Sequence, residues 1–162
     1  VFFVASLIHV PLGPGSVHLI LNGLLGMILG WGVFPALFIA LLLQAILFRF
    51  GGLAVLGVNT FNMAFPALLC HIALRGMIAK PGLARITGGF LCGFFSVAGA
   101  ALCTGAALAF TNEGFLTSAR LLVLAHIPVM TIEGIIVAAV IAFLGKVRPE
   151  LLQTDSIEGK IP

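Results

Sequence analysis

Charge is what this 162-residue sequence has least of. It carries eight Lys and Arg and five Asp and Glu, 8% of the chain, where soluble domains carry roughly 25%. Six of those thirteen charges lie in the last seventeen residues, leaving seven for positions 1–145. So few charges cannot cover the surface of a water-soluble fold. Disorder is excluded as well, because 61% of the residues are hydrophobic and disordered chains are poor in them. Eight scattered cations form no stripe able to track phosphates, which excludes nucleic acid as a partner. Cysteine is sparse: Cys70, Cys92 and Cys103 sit in apolar runs without paired spacing, which speaks for buried small side chains and against a disulfide or zinc framework. There is no HExxH, no G-x-S-x-G and no Walker loop. The glycines of GPGSVH (13–18) follow no expected strand, and Ser16 near His18 lacks a carboxylate to orient a base. The chain is therefore not expected to be an enzyme. Any active transport has to draw its energy from another chain or an ion gradient.

What remains is a single all-α, polytopic membrane helix bundle, expected over residues 1–146, with a cytoplasmic tail over 147–162. Val1 opens inside an apolar run without Met or a basic segment, which reads as a missing N-terminal segment rather than a signal peptide. Residues 1–8 read as the tail of a first helix, and HVPLGPGS (9–16) reads as a loop punctuated by Pro and Gly. Further spans are expected at about 17–31, from a turn at Gly32–Pro35 to Phe50, and at 61–79, 88–110 and 118–145, the last interrupted at Pro128. That makes six or so spans. The second and third are short of the ~20 residues that cross ~30 Å of hydrocarbon, so they are expected to end inside the bundle. GGLAVLGVNT (51–60) reads as irregular. Arg75, Lys80 and Arg85, with Lys146 and Arg148, belong on the cytoplasmic side, against Arg49 and Arg120 opposite. The C-terminus is then inside, and the segments at 9–17, 51–60 and 111–117 face outside.

Two groups of residues call for a reason. Gly89, Gly93 and Gly99 form a small-residue ridge, suited to close helix packing within the bundle or against another membrane subunit. Polar groups at membrane depth are costly and usually face an interior cavity. His9 and His18 flank one outer loop, and Asn59, Thr60 and Asn62 cluster at the next. Imidazole suits Co, Ni, Cu and Zn, while amides orient or complete a shell. His18 is a candidate ligand on these grounds. His9 is open between ligand and hydrogen-bonding prop. His126 and Glu133, seven residues apart, share one helix face. Glu133 lies roughly 22 Å into its span, too deep for an outer site. It reads as a structural lock or a metal relay, with His126 as the residue of that span able to share its cavity. His71 reads as structural.

Three strings taken together, IHVPLGPGSVHLILNGLLG (8–26), FGGLAVLGVNTFNMAFPALLC (50–70) and AHIPVMTIEG (125–134) followed by FLGKVRPELL (143–152), resemble the CbiM/NikM family. Those proteins are the substrate-capturing membrane subunits of energy-coupling factor transporters for cobalt and nickel. The resemblance implies a seven-helix fold, a prokaryotic cell membrane location, and Co²⁺ or Ni²⁺ as the transported substrate near the outer face. It assigns a metal-binding imidazole to His18. The family's other ligands come from an N-terminal Met-His segment that this sequence does not contain. The implied partners are a CbiQ-type membrane scaffold subunit, two CbiO-type ATPase subunits and, in some systems, a small auxiliary membrane subunit. Two alternatives are a vitamin-capturing subunit of the same superfamily and an accessory membrane subunit without a ligand site. One Trp and no Tyr argue against the aromatic pocket that the first requires.

Overall fold

The computed structural model describes residues 9–12, 15–48, 52–111 and 116–152, and these form a bundle of apolar helices preceded by a β-hairpin. Strand β1 is His9–Leu12 and β2 is Gly15–His18. Helix α1 is Asn22–Leu29, followed by a 3₁₀ turn at Gly30–Gly32 and by α2, Val33–Phe48. The long helices are α3, Leu56–Ala79, α4, Leu83–Thr111, and α5, Leu116–Val147. A second 3₁₀ turn, Pro149–Leu152, closes the described chain.

The hairpin corrects the expected loop at 9–16. Pro11, Gly13, Pro14 and Gly15 hide the two-residue alternation by which a strand is recognised. Helix α3 starts five residues before the expected Phe61, so Asn59 and Thr60 stand in its first turns and not in a loop. Residues 1–8, expected to end a first span, lie outside the described residues, as does the tail beyond 152.

Among the described residues four helical runs are long and apolar enough to cross a membrane: Asn22–Phe48, Leu56–Ala79, Leu83–Phe110 and Arg120–Val147. The spans expected at 17–31 and up to Phe50 thus join into one helical run. That run is not straight. Asn22 bonds to Met63, an added methyl on Gly26 would meet Ala67, and Met27 bonds to His71, so α1 runs parallel to α3. The level of His71 lies about 22 Å along α3 from Leu56 at 1.5 Å per residue. Were α2 to continue in the same direction, its 16 residues would carry Phe48 about 45 Å from Leu56. Eight peptide steps join those two residues and reach at most about 29 Å. The chain must therefore fold back at Gly30, whose φ of 52° and ψ of −122° lie outside the helical region. Val33, Leu37, Ala40 and Leu41 accordingly pack in one core cluster with Ala64, Ala67 and Leu68 of α3.

Helices α3, α4 and α5 are joined by short connections and pack antiparallel. The ridge glycines make this possible. A Cβ on Gly89 would lie 2.9 Å from Ala138 Cα, one on Gly93 2.7 Å from Glu133 O, and one on Gly99 2.6 Å from Pro66 Cβ. Gly89 and Gly93 are buried against α5, whereas Gly99, half-buried, meets Pro66 of α3 at the edge of an apolar groove lined also by Phe65, Leu69, Phe95 and Leu102. The antiparallel order gathers Arg75, Lys80, Arg85, Lys146 and Arg148 at one end and leaves Arg120 toward the other. At the basic end Arg85 donates from Nε to Ile78 O (3.0 Å) and from Nη2 to Ala79 O (3.2 Å), capping carbonyls that the end of α3 leaves free. A second core cluster lies nearer this end, with Leu24, Met27, Cys70, Cys92, Val137 and Ile141, and Leu152 folds back onto it.

Candidate functional site

The hairpin brings the two histidines of the first motif together. Its antiparallel register pairs His9 with His18, Val10 with Val17, Pro11 with Ser16 and Leu12 with Gly15. Residues separated by eight others in sequence thus become direct backbone partners.

The strand leads into the bundle through Leu19, Ile20 and Leu21, and this junction is tied down by polar groups from three helices. Glu133, fully buried near the midpoint of α5, accepts hydrogen bonds from the N–H groups of Ile20 (to Oε1) and Leu21 (to Oε2, 2.8 Å). Leu21 adopts φ 51° and ψ 24°, a left-handed conformation that costs a residue with a side chain roughly 1–2 kcal/mol. Asn22, also fully buried, then opens α1. Its Nδ2 donates to Met63 O of α3 (3.1 Å) and Ser96 O of α4 (3.3 Å), and its Oδ1 accepts the N–H of Gly23 (2.9 Å). One amide thus links α1 to two long helices and satisfies a first-turn donor of its own helix. The approach is close because Gly23 has no side chain: a methyl there would lie 2.8 Å from Cys92 O. Cys92 Sγ donates to Gly23 O (3.3 Å), the bland role expected of a buried thiol.

The partner of Glu133 is therefore not His126. His126 Nδ1 bonds to Leu122 O one turn earlier on its own helix (2.7 Å), and the carboxylate reaches backbone groups 112 and 113 positions away. Glu133 lies deep in its helix, and the chain descends to it two residues after His18. Thr60 Oγ1 donates to Leu56 O (2.8 Å), and Asn62 Nδ2 donates to Thr104 Oγ1 of α4 (3.4 Å). Asn59 lies beside them at the start of α3, half-buried. These three decorate the first turns of α3, and the described bonds of Thr60 and Asn62 run within the bundle. His71 Nδ1–H donates to Met27 O (3.3 Å) at the end of α1, a partner that its own span does not reveal.

Asn22 is the residue that sequence reasoning passes over, although the motif HLILNGLLG contains it. The available signal is an amide alone in an apolar helix, which is expensive in lipid without partners.

Over residues 1–151 the sequence matches the family model described as CbiM, cobalt uptake substrate-specific transmembrane region. The chain belongs to the CbiM family. It is a membrane component of cobalt or nickel transport. It is 48% identical over 155 residues to a protein of Haemophilus influenzae designated a metal transport protein, covering 93% of this chain and 75% of that one. It is 26% identical over 164 residues to a fused nickel transport protein, NikMN, of Archaeoglobus fulgidus, of which it spans 55%. Against the cobalt transport protein CbiM of Sorangium cellulosum the identity is 29% over 153 residues, 90% of this chain and 68% of that one. No solved structure gives a significant match.

Proposed function

We propose that this CbiM-family chain captures divalent cobalt or nickel at its outer face for uptake, with His18 as a metal ligand and His9 as its neighbour at the site. The observation that carries this reading is the register of the hairpin, which pairs His9 with His18. In antiparallel pairs, register partners have Cβ atoms about 4.5–5.5 Å apart on one face. Metal–imidazole bonds are about 2 Å long, as for zinc, so two imidazoles so placed can share one ion. Imidazole donors suit Co²⁺ and Ni²⁺ alike, in keeping with relatives named for each metal. In the proposed orientation the end bearing Arg75, Lys80, Arg85, Lys146 and Arg148 is cytoplasmic, by the excess of Lys and Arg there. The link at 49–55 and the connection after α4 then face outside. ATP hydrolysis belongs to partner chains in this reading: two CbiO-type ATPase subunits on a CbiQ-type scaffold, with a small auxiliary membrane subunit in some systems.

The test is calorimetric titration of the full-length protein with Co²⁺ and Ni²⁺, comparing parent, His18→Ala and His9→Ala. Changes to residues that only orient a ligand cost 10–100-fold in affinity, so loss of a ligand should cost at least about 100-fold, or roughly 2.7 kcal/mol. His9→Ala should cost less than His18→Ala. Parent-like binding by a folded His18→Ala refutes the proposed capture site.

A further inference from the structure

Of the buried groups that the proposed capture of a metal does not itself use, Glu133 has the most specific surroundings. Its two carboxylate oxygens take the N–H groups of two consecutive residues, Ile20 and Leu21, which lie between the end of β2 and the first residue of α1 and so belong to neither ladder. No cation is paired with it among the described residues, and the ion pair found there is the exposed Arg148–Glu150. Leu21 is the one non-glycine residue with positive φ among them. Such a conformation persists only where its surroundings over-determine it, and here Glu133 holds it from one side while the Asn22 amide holds it from the other.

We propose that Glu133 is a positioning residue for metal capture, fixing the backbone beyond β2 and so the place of His18 in the bundle; this rests on the reading of His18 as a ligand. Two peptide steps separate His18 from Ile20, at most about 7 Å of chain, so an anchor at Ile20 leaves the strand end little slack. A ligand held in place before the ion arrives spares binding the loss of freedom that ordering it would require. Glu133→Gln keeps length and shape but turns an amide NH₂ toward one of the two N–H groups, orphaning that donor. Glu133→Asp keeps the carboxylate and withdraws it by one methylene.

The experiment is a double-mutant cycle on the full-length protein in detergent, titrated with CoCl₂ and NiCl₂ to millimolar concentration, with helicity followed by circular dichroism. Glu133→Gln should weaken binding 10–100-fold in the parent, the range found for groups that orient metal ligands. In the His18→Ala background the same change should alter it less than twofold, because there is no longer an imidazole to place. Parent-like affinity of Glu133→Gln overturns the proposal, and so does an equal loss in both backgrounds, which a merely structural carboxylate would give. If Glu133→Gln does not fold, the cycle is run with Glu133→Asp, for which a smaller loss confined to the His18 background is expected. A weakened His18→Ala beside an unchanged Glu133 variant removes the positioning role alone. A His18→Ala protein that binds like the parent removes the capture site and this inference together.

Discussion

Replacing Asn22 by Ala tests how much of the bundle hangs on one amide. The side chain is fully buried and makes three hydrogen bonds, two donated to Met63 O and Ser96 O and one accepted from Gly23 N–H. The two losses are unequal. Met63 and Ser96 lie inside long helices, whose ladders already engage their carbonyls, so each lost bond should weigh at the net value of about 1 kcal/mol. The Gly23 N–H stands in the first turn of α1, where no ladder partner exists, and burying it unpaired costs about 1–3 kcal/mol. The total is about 3–5 kcal/mol. If membrane hydrogen bonds each contribute only about 0.6 kcal/mol, as averages suggest, the floor is about 2 kcal/mol. At 2–4 °C per kcal/mol for a chain of this size, the melting temperature should fall by at least about 4 °C and by up to about 20 °C. Trp31, the single tryptophan, sits 74% exposed at the fold-back beside α1 and provides the fluorescence signal. A shift of less than 2 °C, with unchanged helicity, would refute the claim that this amide ties α1 to α3 and α4.

Two further outcomes follow from the same packing. Gly93→Ala sets a methyl 2.7 Å from Glu133 O and 2.9 Å from Gly134 Cα, both backbone atoms that cannot swing aside, so overpacking should destabilise the bundle by about 1–3 kcal/mol, read as a lower melting temperature. For the proposed orientation, Leu53→Cys, exposed before α3, should react with an impermeant maleimide applied outside cells, whereas Lys80→Cys, exposed at the basic end, should not; the reverse pattern inverts the topology.

Long apolar periodicity made α4 and α5 legible almost to their ends: 88–110 was expected where the structure has Leu83–Thr111, and 118–145 where it has Leu116–Val147. Pro128 does not interrupt α5 as expected but lies within its continuous span, as proline is tolerated to do in membrane helices. The polar junction was only half legible. The cost of burying Glu133 is visible in its own span, but its partners are backbone N–H groups 112 and 113 positions away, and every residue has one. The hairpin was hidden for the opposite reason, since four Pro and Gly residues in nine look like a loop whether or not their flanks pair.

The fold-back at Gly30 has a consequence for biosynthesis. By length and hydropathy, Asn22–Phe48 is a single crossing of 27 residues, and insertion machinery that reads a nascent chain by those criteria would thread it once through the bilayer. In the finished bundle both ends of this stretch lie toward the same end of α3. A chain inserted straight there would deliver α3, α4 and α5 upside down. In the proposed orientation Arg75 at the end of α3, Lys80 in the turn after it and Arg85 at the start of α4 are the charges able to resist that inversion, since carrying them across the membrane is what orientation signals oppose. Neutralising all three should leave a population of chains in mixed orientation.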